Sequence, residues 1–198
     1  MIFHDISGDL AKAMPFPGDM KTEINRVKSI NTYDDYNLSE IHCSAHISTH
    51  IDAPLHFIRG GKDVSELELS YFYGECTVVS LTGIITGEDM DKLLPYCKKR
   101  LLLHGNGEAY ISSSAIDSLC ENGIVLVGTD SDSIAADFEL NKVHYDLLNR
   151  DIAILENLKL KDIKDGTYIL SAFPLKISGC EASPCRAVLI EGEKLLWF

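Results

Sequence analysis

The chain has 198 residues, 45% hydrophobic and 24% charged, with 30 acids against 18 bases and a formal net charge of -12. This length suits one domain, residues 1–198, with a substantial core, and the balance is that of a globular protein rather than a disordered, collagenous or coiled-coil one. So acidic a surface repels phosphate backbones and anionic headgroups, which argues against nucleic acid and membranes as partners.

The opening Met1-Ile2-Phe3-His4-Asp5 has neither the basic nor the apolar region of a signal peptide. No apolar run approaches the roughly 20 residues of a membrane span, so a cytoplasmic protein is expected. Cys43, Cys76, Cys97, Cys120, Cys180 and Cys185 are scattered without a CxxC pair and read as reduced, mostly buried thiols.

In chain order, Met14 to Asp19 is a turn or loop by its prolines and glycine. From Tyr36 to Ser48, Ile41, Cys43, Ala45 and Ile47 alternate with polar residues, which predicts a strand with one face in the core. Ala53-Pro54 then ends it, because proline lacks the ladder donor. Cys76 to Leu81 predicts a strand, Glu88 to Lys99 a helix and Leu101 to Leu103 a strand. Ser112 to Ser114 offer N-caps for a helix through Cys120, with Gly123 as terminator. Ile124 to Val127 reads as a strand buried on both faces, Asn141 to Asn149 as a short helix and Ile152 to Leu155 as a strand. Thr167 to Phe173 and Arg186 to Ile190 complete the sheet of an α/β protein rich in β structure.

The chemistry concentrates in His46-Ile47-Ser48-Thr49-His50-Ile51-Asp52-Ala53-Pro54-Leu55-His56. Imidazole nitrogen and carboxylate oxygen are ligand types for zinc, manganese and similar ions. On a strand, His46 and His50 would stand about 13 Å apart, too far for two bonds of about 2.1 Å to one ion. On a helix those two would be neighbours, but Asp52 would face away. One ion can therefore bind all three only if the backbone bends sharply around Ser48 and Thr49. Elsewhere, Gly105-Asn106-Gly107 reads as a turn, Asp130 and Asp132 as turn or cap residues near the pocket, and His4, His42 and His104 as surface or hydrogen-bonded rings.

The eleven-residue segment resembles the pattern His-x-Gly-Thr-His-x-Asp-x-Pro-x-His of the cyclase-like metal hydrolases, whose best-known members are bacterial kynurenine formamidases (arylformamidases). The resemblance extends over nearly the whole chain, through Pro17-Gly18-Asp19, Gly128-Thr129-Asp130-Ser131, His144 with Ile154-Leu155-Glu156-Asn157-Leu158, Phe173-Pro174-Leu175 and Ala182-Ser183-Pro184-Cys185-Arg186-Ala187. It implies a β-rich α/β domain of the swivelling β/β/α type, forming a homodimer or homotetramer. It also implies two divalent ions, zinc or manganese. His46, His50 and Asp52 would hold the first, and Asp52 would bridge to a second held also by His144 and Glu156. His56 would be the general acid/base, and Phe16 would supply an aromatic wall where kynurenine formamidases commonly carry tryptophan. Ser48 stands where the family has glycine. The implied activity is hydrolysis of an N-formyl aromatic amine by metal-activated water. Alternatives are the same machinery on another cyclic amide, lactone or ester, and a member that binds metal or ligand without turnover.

Overall fold

Short apolar runs parted by turn residues become short strands, and the chain alternates them with brief helices. The computed structural model describes residues 1–192; residues 193–198, the end of the expected domain, lie outside them. The first eight strands are β1 (Ile2–Asp5), β2 (Glu23–Lys28), β3 (Leu38–His42), β4 (His50–Asp52), β5 (Tyr73–Ser80), β6 (Gly83–Ile85), β7 (Arg100–His104) and β8 (Ala109–Ile111). Then come β9 (Leu126–Thr129), β10 (Ala153–Glu156), β11 (Gly166–Ser171), β12 (Ala182–Pro184) and β13 (Val188–Glu191). The helices are α1 (Gly87–Leu93), α2 (Ile116–Glu121) and α3 (Leu140–Asn149).

Nine strands form one curled mixed sheet in the order β1-β13-β11-β5-β7-β9-β10-β4-β12. Its centre, β5-β7-β9-β10, is parallel, and both flanks are antiparallel. Alternate residues of the central strands divide between two cores. Leu101, Leu103, Val127 and Ile154 face the helices with Met90, Leu119, Val143 and Leu147. Leu102, Leu126, Leu155 and Ile51 face the other way, against Ile6, Phe72, Val78, Leu170 and Leu189. Burial on both faces explains the continuous apolar runs of the middle strands. Each such side chain contributes about 1.5–3 kcal/mol.

Two expectations change. The strand expected from Tyr36 to Ser48 is only β3, and all five of its residues are exposed, paired with β2 in a separate two-stranded ribbon. Cys43 and Ala45 are too small to force a face into the core, and the chain between them and β4 turns. The helix expected through Lys99 ends at Leu93 and passes into a tight turn over Leu94–Tyr96. Thr86 and Asp89 cap its start reciprocally, and Pro95 lacks the N–H that would continue it. No helix among the described residues is long and apolar enough to cross a membrane.

Candidate metal centre

The centre forms where β4 lies beside β10. Antiparallel register sets Glu156 opposite His50 and Ile154 opposite Asp52. Side chains at directly opposed positions share a face, so His50, Asp52 and Glu156 all project toward the helical layer while Ile51 and Leu155 fill the other core. Helix α3 packs on that same face through Val143 and Leu147 and brings the buried ring of His144 down beside them.

His46 reaches the group because the chain bends as the ligand spacing requires. Ser48 adopts a left-handed φ of 60°, a conformation that glycine takes at less cost. Thr49 clamps the bend: its hydroxyl donates to the Asn157 carbonyl at 2.7 Å and accepts from the Gly8 N–H at 2.9 Å. Cys185 donates its N–H to the Thr49 carbonyl at 3.0 Å. Gly8 lies close against the bend, since a Cβ there would stand 2.4 Å from Ser48 Oγ and the hydroxyl would have to rotate away.

The polar atoms converge in two groups that share Asp52: His46, His50 and Asp52, and Asp52, His144 and Glu156, each with ligand atoms within 4.8 Å of one another. His46 Nδ1 lies 3.1 Å and His50 Nε2 3.4 Å from Asp52 Oδ1. His144 Nε2 is 3.1 Å from Glu156 Oε1 and 3.8 Å from Asp52 Oδ2. Two ligands about 2.1 Å from one ion at a tetrahedral angle stand roughly 3.4 Å apart. His50 Nε2 and both Asp52 carboxylate oxygens are buried without a hydrogen bond, an arrangement that costs stability unless something else satisfies them. The donor set, the spacing and these unsatisfied atoms fit a divalent metal ion.

Backbone groups fix the rings. His50 donates Nδ1–H to the Ser48 carbonyl at 2.9 Å, and His144 donates Nδ1–H to the Leu140 carbonyl at 2.8 Å. Each therefore turns Nε2 toward the carboxylates, the role that outer partners of metal-binding histidines play. Glu156 Oε1 accepts the Ile134 N–H at 2.7 Å.

Burial opposes charge on His50, but contacts with Asp52 and Glu156 outweigh it and push the pKa up to about 10. Burial raises Asp52, yet His46 and His50 hold its carboxyl well below the usual range. Burial and Asp52 raise Glu156, and His144 and His50 bring it below its ordinary value. Burial disfavours charge on His144 too, but Glu156 lifts it above its ordinary value. His56 goes the other way: burial lowers it against the pull of Asp52, which keeps a neutral ring at pH 7.

His56 ends the tight turn Pro54–His56, with its ring centroid 4.2 Å from that of His46. Both line a cavity of about 640 Å³ with Phe16, His50, His144 and Glu156, a size that suits a small molecule. The structure thus brings together all six residues expected to act as ligands or acid/base, with half-exposed Phe16 on the cavity wall. Asp132 lines it too, whereas Asp130 accepts the N–H groups of Gly105 and Gly107 and serves the turn. His4 pairs with Glu191 and His42 is exposed, as expected. His104 departs from expectation: both its ring nitrogens are buried without a hydrogen bond, with Asp130 Oδ2 3.7 Å away. The sequence reading missed Phe57, whose ring lies 4.9 Å from that of His144 and 4.3 Å from that of His56. An aromatic directly after the last histidine of the motif was the available signal.

Fold and site together define an α/β protein whose histidine–carboxylate centre opens into a cavity of about 640 Å³. The family model described as "Putative cyclase" matches residues 4–136, and the chain belongs to the cyclase family. A kynurenine formamidase of Bordetella petrii is 36% identical over 94% of this chain and 97% of its own length. Another, of Erythrobacter litoralis, is 32% identical over 94% and 93%. A solved structure described as a potential metal-dependent hydrolase with cyclase activity matches with a TM-score of 0.82 at 26% identity, covering 95% of this chain and 96% of that one.

Proposed function

We propose that this chain is a metal-dependent hydrolase that removes the formyl group from an aromatic N-formyl amine, a cytoplasmic kynurenine-formamidase-type enzyme. The observation that carries this reading is the pair of ligand groups sharing Asp52, of which His46, His50, His144 and Glu156 line the cavity. Two divalent ions, zinc first and manganese as the alternative, fit there, held by His46, His50 and Asp52 and by Asp52, His144 and Glu156. Bound, they supply Lewis acidity and bring the pKa of a water down to about 7.

The chain's own groups do the rest. The cavity wall at Phe16 and Phe57 receives the aromatic ring and sheds water from it. His56, neutral and on the same wall, takes a proton at a ring nitrogen and returns it to the leaving amine nitrogen. Asp52 and Glu156 stay ionised and keep the site negative enough to retain cations. The same reading includes a homodimer or homotetramer, supported by the uncovered apolar side chains of the β2–β3 ribbon.

The test compares metal content and N-formylkynurenine hydrolysis in the native protein, His50→Ala and His56→Ala. About two ions per chain, reduced with activity in His50→Ala, is the expected result. His56→Ala is expected to keep its metal and lose about 10²–10⁴-fold in kcat. Metal without turnover would redirect the reading to cyclic amides, lactones and esters. No bound metal, and no gain with added zinc or manganese, would overturn it.

A further inference from the structure

Two of the three histidines at the centre have their outer nitrogen fixed by a backbone carbonyl: His50 by Ser48 and His144 by Leu140. His46 is built the other way round. Its Nδ1 is the nitrogen 3.1 Å from Asp52, and the outer nitrogen is Nε2, which is buried and makes no hydrogen bond. Opposite that nitrogen, at 3.4 Å, stands Glu181 Oε1.

Glu181 is held there by the sheet. It immediately precedes β12, whose register sets Ala182 opposite Asp52 and Pro184 opposite His50. The Ala53 N–H donates to the Glu181 carbonyl at 2.8 Å, tying its backbone to the chain leaving β4. The carboxylate therefore comes from a residue whose backbone is anchored where β12 begins beside the end of β4, while its side chain remains 40% exposed.

We infer that Glu181 is a positioning residue for His46: its carboxylate accepts a hydrogen bond from Nε2–H and so reserves Nδ1 for an ion beside Asp52. A neutral imidazole carries one proton, and a ring that ligates through Nδ1 must hold that proton on Nε2. An acceptor at Nε2 fixes this tautomer, fixes the ring plane and makes Nδ1 a stronger donor. The 3.4 Å separation lies within hydrogen-bonding reach once the N–H and the partly exposed carboxylate align. The inference rests on the two-metal reading and names the outer partner of its first site.

The test measures zinc affinity of the stripped protein by chelator competition, together with the visible absorption of the cobalt-loaded form, in Glu181→Ala, Glu181→Gln and Glu181→Asp. Glu181→Ala is expected to weaken one of two sites about 10–100-fold, shift the cobalt spectrum and leave the other site unchanged. Glu181→Gln, whose amide oxygen still accepts a hydrogen bond, is expected to recover part of the loss. Thermal stability of the metal-free variants should match the native protein, which a merely structural role for Glu181 would not predict. If Glu181→Ala fails to fold, the Gln and Asp variants carry the comparison. Native protein with two ions and variants with the same affinity and spectrum would overturn this inference alone. Native protein that binds no metal would overturn the reading beneath it.

Discussion

Ser48 occupies the one position in the ligand segment where the backbone turns left-handed, and it also leaves a buried hydroxyl without a partner. Glycine removes both burdens, against a larger loss of chain entropy on folding. A left-handed non-glycine residue costs about 1–3 kcal/mol, and an unsatisfied buried hydroxyl adds to it. Ser48→Gly is therefore expected to stabilise the protein by about 1 kcal/mol in chemical denaturation, with metal content unchanged. A loss of stability would show that the Ser48 hydroxyl contributes more than the backbone strain costs. This bend was legible in the sequence, because one ion bound by His46, His50 and Asp52 forbids both a strand and a helix there. Glu181 was not, since nothing in its neighbourhood resembles a ligand motif and only the β4–β12 register brings it to His46. His144 and Glu156 stood between these cases: each alone looks like a surface residue, and only the family pattern singled them out.

At the scale of elements, the β2–β3 ribbon is the least explained part of the molecule. Its Ile24 and Ile41 are directly paired and therefore share one face, and both are at least half exposed. Val27 and Leu38 are also uncovered. A two-stranded ribbon is marginal in water on its own, and an apolar pair at its centre gains stability only when covered. The expected cover is a second copy of the chain, so light scattering should give a mass two or four times that of one chain. Ile24→Lys combined with Ile41→Lys is expected to shift the mass toward the monomer; a native monomer would sink the assignment. Sequence periodicity misread this region because alternation continues through Cys43 and Ala45, where the chain leaves the strand and turns toward β4. The central strands were easier, since burial on both sides leaves the unbroken apolar runs of Leu101 to Leu103 and Leu126 to Val127.

At the scale of the whole molecule, protons and ions compete for one centre. His50, raised to about 10, carries a proton at neutral pH before any ion arrives. That raised value stabilises the metal-free fold fully below the unfolded histidine pKa of about 6.5. The contribution then disappears as pH rises through about 10. Asp52 works in the opposite sense: its lowered pKa contributes stability above the ordinary value of 3.8, which is lost as acid protonates the folded carboxyl. An ion needs His50 neutral, so uptake must release its proton, and affinity should increase as pH rises toward 10. Zinc titrations of stripped protein at pH 7 should give apparent enthalpies that differ between buffers of low and high ionisation enthalpy, in proportion to about one proton or more released per chain. Equal enthalpies in both buffers would contradict the charged state assigned to His50.

The clamp between Thr49 and Asn157 joins positions 108 residues apart, and the ligands sit on either side of it. An ion bound there is a removable rivet between the early and late parts of the chain. At a free concentration 1,000 times the dissociation constant it adds about 4 kcal/mol to the folded state. Under the proposed metal binding, resistance to proteolysis would then report how much of the protein carries its ion.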